Sequence, residues 1–222
     1  MTFARESWPF VLPFALLAAA LLAVGRFSWA LAPAAAGLAI LAFFRNPRRQ
    51  FEGETGIVLA PADGRITRVD AIEDAELGPG RYHLVVTFLS VFDVHVQRAP
   101  AAGLVVTSRR AAGRKIAAFR AAAGAVNERH LTVIRRPNGD LVGVRQIAGL
   151  LARRVVCYLD RGDRVDRGQA LGLIKFGSRV DLLVPASYQL LVREGERLRN
   201  GATPVAAPPA PDLAADRAGA LQ

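Results

Sequence analysis

The chain opens with two apolar runs and only afterwards begins to alternate. Ser7 to Gly25 carries no charge, nor does Phe27 to Phe44, and Arg26 alone separates them. Each run is near the lower limit of the ~17–25 residues that cross a bilayer as a helix. The pattern predicts two helices folded back as a hairpin, so that residues 1–50 form a membrane anchor. Arg5 precedes the first run, while Arg45, Arg48 and Arg49 follow the second, which is expected to put both ends on the cytoplasmic side of the membrane. A re-entrant hairpin satisfies the same pattern. A cleaved signal peptide does not, because a second apolar run and its basic cluster follow the first.

From about Gly56 the period shortens to two. Ile57 to Ala60 leads into the turn Pro61-Ala62-Asp63-Gly64, and Arg65 to Val69 alternates polar with apolar. His83 to Phe88, Leu104 to Thr107 and Leu131 to Ile134 read as strands, and Pro137-Asn138-Gly139-Asp140 as a hairpin turn. Ala111 to Ala123 is the best candidate for a helix in this half. Gly162-Asp163-Arg164-Val165-Asp166-Arg167-Gly168 is echoed by Gly195-Glu196-Arg197-Leu198-Arg199-Asn200-Gly201: glycine, acid, arginine, aliphatic, two polar residues, glycine. Such a unit is a turn, a short half-buried strand and a second turn, like the hammerheads of lipoyl-type folds. Ile57 to Ile66 has the same character. The fold class expected is mainly β, a barrel-sandwich domain over residues 51–205, carried on the helical hairpin. Residues 206–222 are an Ala/Pro-rich tail that cannot build a core.

Charge narrows the partners. The 222 residues carry a net charge of +10, which suits nucleic acid or an anionic membrane face. The arginines are dispersed without interleaved exposed aromatics, so nucleic acid is not expected. The single cysteine, Cys157, excludes an intrachain disulfide, and no Cys/His set has zinc spacing, so no metal is expected. Cys157 lies in an apolar run and reads as a small core residue. Two non-catalytic alternatives remain, a carrier domain and a membrane-anchored barrel-sandwich adaptor. The first needs a lysine on a hairpin tip beside methionine, but Lys115 and Lys175 are the only lysines and Met1 the only methionine. The second needs a long heptad-patterned hairpin, and none is visible.

Three places carry chemistry. Gly177-Ser178 lies between the strand-like runs Leu171 to Ile174 and Val180 to Val184, where a glycine lets the backbone strain and a hydroxyl reach the preceding carbonyl. His95, one of three histidines, sits among apolar neighbours, and its ordinary pKa near ~6.5 suits proton transfer. Asp63 precedes a glycine, which is also ordinary turn chemistry. His83 reads as a strand residue and His130 as a polar surface or rim residue.

Together these places resemble the short, bacterial and archaeal branch of the phosphatidylserine decarboxylases. The likeness runs through Phe43-Phe44-Arg45-Asn46-Pro47, Pro61-Ala62-Asp63-Gly64, Phe92 to Pro100, Asn127-Glu128-Arg129 and Ile174 to Asp181. It implies a zymogen that cuts itself between Gly177 and Ser178 and converts Ser178 into a covalent pyruvoyl group. Ser178, His95 and Asp63 would be catalytic. The substrate implied is phosphatidylserine in the membrane, decarboxylated to phosphatidylethanolamine with the pyruvoyl carbonyl as electron sink. The large chain (1–177) and the small chain (178–222) would stay associated; a homodimer is left open. One departure stands out. The long-branch enzymes carry a second histidine three positions after the first, and here that position is Arg98. Arginine stays protonated and cannot be a general base, so Arg98 is expected to bind the substrate's carboxylate or phosphate.

Overall fold

The computed structural model describes residues 2–113, 126–149, 155–175 and 178–209. The two apolar runs are helices α1 (Trp8–Ala23) and α2 (Phe27–Phe43), reversed at Gly25, whose φ of 74° a side chain would resist. The helices meet over small residues: Ala18 of α1 and Ala30 and Gly37 of α2 are buried, and a Cβ on Gly37 would already touch the Phe14 Cβ at 3.7 Å. The outer faces leave Leu12, Leu16, Trp29, Leu31 and Leu38 exposed. The pair β1 (Thr2–Phe3) and β2 (Arg45–Asn46) ties the two ends of the hairpin together.

The elements described after the hairpin are strands, as the alternation requires. In chain order the strands are β3 (Val58–Leu59), β4 (Gly64–Asp74), β5 (Gly78–Leu89), β6 (Val96–Arg98), β7 (Gly103–Ala111), β8 (Arg129–Arg135) and β9 (Leu141–Ala148). There follow β10 (Val155–Cys157), β11 (Arg164–Val165), β12 (Ala170–Ile174), β13 (Ser178–Pro185), β14 (Gln189–Leu190), β15 (Arg197–Leu198) and β16 (Pro204–Ala207). One curled antiparallel sheet runs β11-β7-β8-β9-β13-β5-β4-β15, with smaller sheets β10-β12-β6 and β14-β16-β3 beside it. The expected mainly β fold with N-terminal apolar helices is what the structure has. Of the helix expected over Ala111 to Ala123, Ala111 ends β7, and residues 114–123 lie outside those described.

Alternation along β13 explains its place. Val180, Leu182 and Val184 enter the main core with Ile66, Val85, Val144 and Ile174, while Leu183 enters a second cluster with Leu84, Val86 and Val133 on the other face. A third cluster joins the hairpin to the domain: Ala4 and Phe44 pack with Val94, Val96 and Leu173.

The glycine repeat is built as a duplicated frame. Its four glycines, Gly162, Gly168, Gly195 and Gly201, all have positive φ. Gly195 N donates to Ile66 O and Ile66 N to Glu196 O; in the same way Gly162 N donates to Val105 O and Val105 N to Asp163 O. Ile66 and Val105 end matching segments 39 residues apart, Ala60-Pro61-Ala62-Asp63-Gly64 and Ala99-Pro100-Ala101-Ala102-Gly103. A Cβ on Gly64 would lie 2.1 Å from Phe88 O, and one on Gly103 2.2 Å from Arg135 O, so both turns need glycine to let strands close.

Candidate active site

Ser178 is the first residue of β13, and its backbone is paired on both sides, with Leu89 of β5 and Ala148 of β9. Gly177 and the Ser178 side chain lie outside the described residues. The flanking supports are described. Asn127, fully buried, donates its amide to Ala148 O at 2.7 Å, and Ala148 N donates to Glu128 O at 3.0 Å, so Asn127-Glu128 pins the strand opposite Ser178. One residue beyond Ser178, Arg179 grips Asp181 through two bonds of 2.6 and 2.9 Å, both buried on one face of β13.

His95 comes six residues after Leu89, the partner of Ser178, and its carbonyl accepts from Ile174 N, the end of the strand leading to Gly177-Ser178. The four steps from Ile174 to Ser178 span at most ~14 Å. The His95 ring is 1% exposed and lies against Phe43 of α2, with ring centroids 4.1 Å apart. Nδ1 is 2.9 Å from Asp93 O. A carbonyl can only accept, so Nδ1 carries the proton and Nε2 is left with a bare lone pair. Nε2 is buried with no partner among the described residues. Burial lowers the pKa from 6.5 to about 4; the Asp93 carbonyl and the charges of Asp93 and Asp63 push the other way, and Arg45 adds to the lowering. His95 is therefore a neutral base at pH 7.

Asp63 is buried at the turn into β4. Its carboxylate is clasped by Arg49, with Nη2 2.8 Å from Oδ2 and Nη1 on Oδ1, and accepts from Asn200 N at 2.8 Å. Asn200 donates onward to Val96 O at 2.7 Å, so this cluster joins the Asp63 turn to the strand after His95. Arg49, read from sequence as a flanking charge of the hairpin, is also the half-buried partner of Asp63. Arg45 is likewise engaged, on Ala42 O at 2.7 Å and Phe92 O at 2.5 Å. Arg98 donates to Gly168 O at 2.7 Å, Asn46 Oδ1 at 2.5 Å and Pro47 O at 2.9 Å, leaving a buried Nε unpartnered among the described residues. Burial and Arg49 lower its pKa, against Asp63.

Several contributors were not legible in the sequence. Gln146 donates to Gln97 Oε1 and Gln97 to His95 O, each at 2.8 Å, forming a buried amide chain behind the histidine. Asn200 carried a signal: it is where the second repeat copy departs from the Arg167 of the first. His130 is a half-buried strand residue, not a rim residue; its Nε2 is 3.0 Å from Ser108 Oγ, which donates to Leu159 O at 2.7 Å. With its hydroxyl proton on a carbonyl, Ser108 is no activated nucleophile. Cys157 is half-buried in β10, its Sγ within 3.4 Å of Leu159 O.

The chain is similar to known proteins along most of its length. The sequence profile described as phosphatidylserine decarboxylase matches residues 37–206. A phosphatidylserine decarboxylase proenzyme of Symbiobacterium thermophilum is 46% identical over 202 residues, which cover 90% of this chain and 93% of that protein. One from Azorhizobium caulinodans is 41% identical over 218 residues, 95% and 92% of the two chains. One from Cupriavidus pinatubonensis is 40% identical over 201 residues, 90% and 92%. The chain belongs to the phosphatidylserine decarboxylase family.

Proposed function

We propose that this protein is a membrane-anchored, self-processing decarboxylase that converts phosphatidylserine to phosphatidylethanolamine and CO2 with a pyruvoyl group made from Ser178. The observation that carries the reading is His95: a buried, neutral imidazole whose Nε2 has no partner among the described residues, held one short segment from the first residue of β13. The residues fit such a group, since an orphaned basic nitrogen is what a serine needs to become a nucleophile. Nε2 takes the Ser178 hydroxyl proton as Oγ attacks the Gly177 carbonyl, and the peptide bond becomes an ester. Removal of the Ser178 Cα proton then expels Gly177 as a carboxylate and leaves dehydroalanine. Water converts that to the pyruvoyl terminus and ammonia. Asp63 acts through its charge, which favours the imidazolium formed each time Nε2 takes a proton.

The pyruvoyl carbonyl supplies an electron sink for loss of CO2 from the lipid headgroup. His95 holds and returns the proton at the headgroup carbon, and Arg98 is the cation assigned to the substrate's carboxylate or phosphate, exchanging its Asn46 and Pro47 contacts for the anion. The helical hairpin is assigned to the inner membrane, with the β domain on the cytoplasmic side. Its support is the run Arg5–Ala23, 19 residues long and apolar enough to cross a bilayer, and the exposed apolar outer faces of both helices. After cutting, β13, β15 and β16 stay paired with strands of the large chain, which supports an undissociated product.

Intact mass under denaturing conditions tests the proposal. A 177-residue chain and a small chain of the remaining 45 residues, its N-terminus blocked by a carbonyl, are expected, with CO2 released from phosphatidylserine vesicles. Full activity in a single uncut chain would refute it.

A further inference from the structure

Just past the strand that pairs with Ser178, the chain turns over Ser90 to Asp93 and presents two apolar residues outward. Phe92 is 83% exposed and Val91 47%, although the domain beside them has a well-filled core. The turn is fixed: Asp93 Oδ2 accepts from both Ser90 N and Ser90 Oγ at 2.8 Å, and Asp93 N donates to Ser90 O at 3.1 Å. Arg45 clamps this tip to the end of α2, with one nitrogen on Phe92 O and the other on Ala42 O. The next residues along hold His95 by the Asp93 carbonyl and against the Phe43 ring. On the far side of the cut segment, the Lys175 ammonium lies 5.1 Å from the Phe10 ring of α1. Tip, helix ends, His95 and Lys175 thus share the base of the hairpin.

We infer that the Val91-Phe92 tip is a second membrane contact, seated in the interfacial layer of the bilayer that the hairpin enters, and that it sets the depth of His95 relative to the lipid headgroups. This rests on the membrane anchoring proposed above. Three observations favour lipid over a second copy of the chain. The tip is continuous with the hairpin through Arg45. Arg45, on Phe92 O, and the exposed Arg197, whose Nη1 is 3.9 Å from Asp93 Oδ1, flank it with positive charge, which complements an anionic leaflet, and an aromatic side chain at headgroup level is well placed. Finally, α2, with 17 residues, reaches only roughly 26 Å at 1.5 Å per residue, short of a hydrocarbon core about 30 Å thick, so the shorter leg limits the hairpin. So short a hairpin draws its own base, and the tip fastened to it, down into the interface.

The test uses the full chain in vesicles of phosphatidylethanolamine and phosphatidylglycerol, with Phe92→Cys labelled by an environment-sensitive fluorophore in a Cys157→Ala background. Blue-shifted emission, quenched by a doxyl group near the headgroup end of the acyl chain, is expected. Water-like emission, quenched by iodide from a chain that stays in the vesicles through high salt, overturns the inference and leaves the anchoring intact. A chain that washes off in high salt overturns both. Blue-shifted emission without doxyl quenching means that a second copy covers the tip, and also overturns it. As a second measurement, Phe92→Asp should lower the ratio of turnover on bilayer phosphatidylserine to turnover on a water-soluble short-chain analogue about tenfold. An unchanged ratio in normally cut protein refutes the inference.

Discussion

A histidine buried as a neutral base makes the fold sensitive to acid, and the size of that sensitivity follows from its environment. His95 titrates at about 4 in the folded chain against 6.5 when free. Its folded pKa is depressed, so its contribution is fully present above pH 6.5 and is lost as pH falls toward 4, while the unfolded chain takes up a proton that the native one refuses. At pH 4.5 the difference is about 2.5 kcal/mol, and its limit at lower pH about 3.4 kcal/mol, at 1.36 kcal/mol per unit. The perturbation is His95→Gln, which keeps a polar side chain and cannot charge. Both proteins should carry Ser178→Ala, so that a single uncut chain unfolds. Urea unfolding in detergent at pH 7.5 and 4.5 should show the parent losing about 2.5 kcal/mol more than the variant on acidification, a relative midpoint shift of about 1 M. Equal losses would refute the assigned burial and tautomer. The proposed self-cleavage gives a second reading of the same pKa: with Nε2 as the base, the acid limb of the cleavage rate should fall near pH 4. A limb at pH 6.5 would mean that His95 is solvated in the precursor.

Other expectations are direct. Ser178→Ala should leave one inactive uncut chain, and Ser178→Thr should cut slowly without the normal carbonyl terminus, both read by intact mass; hydroxylamine, which traps esters, should hasten scission in the Thr variant. Arg49→Met strands the buried Asp63 carboxylate and should destabilise the uncut chain by about 3 kcal/mol in urea, and pairing it with Asp63→Leu should recover part of that loss. Gly64→Ala drives a methyl into Phe88 O at a φ of 144° and should cost roughly 3 kcal/mol or more, seen as little folded protein in detergent extracts.

What could be read in advance was local. The hairpin is two uninterrupted apolar runs, and the turns are spelled by Asp63-Gly64, Asn138-Gly139 and the repeat glycines, whose positive φ only glycine adopts easily. The site's supports are not local. Arg49 reaches Asp63 across 14 residues and Asn200 reaches Asp63 across 137, and nothing in the sequence distinguishes Arg49 from Arg48 as the one that turns inward. Asn127 and Gln146 look like ordinary polar residues until the sheet brings Ala148 and Gln97 to them. The second copy of the Asp63 turn escaped notice because its chemistry is erased: Ala102 stands where the carboxylate would be.

That erasure bears on how many bonds such a chain can break. A scaffold with two matching halves has, in principle, two equivalent seats for a reaction. Counting back 39 residues from His95 reaches Gly56, and Ala102 answers to Asp63, so the mirrored seat has neither base nor carboxylate. The Asn200 that braces Asp63 is matched by Arg167, whose guanidinium turns outward to the carbonyls of Gly53, Glu54 and Ile57. The architecture is even-handed and the chemistry one-sided. Under the proposed self-cleavage, the chain thereby confines the damage to a single peptide bond, and keeps the blank half as the frame that holds the two fragments in place.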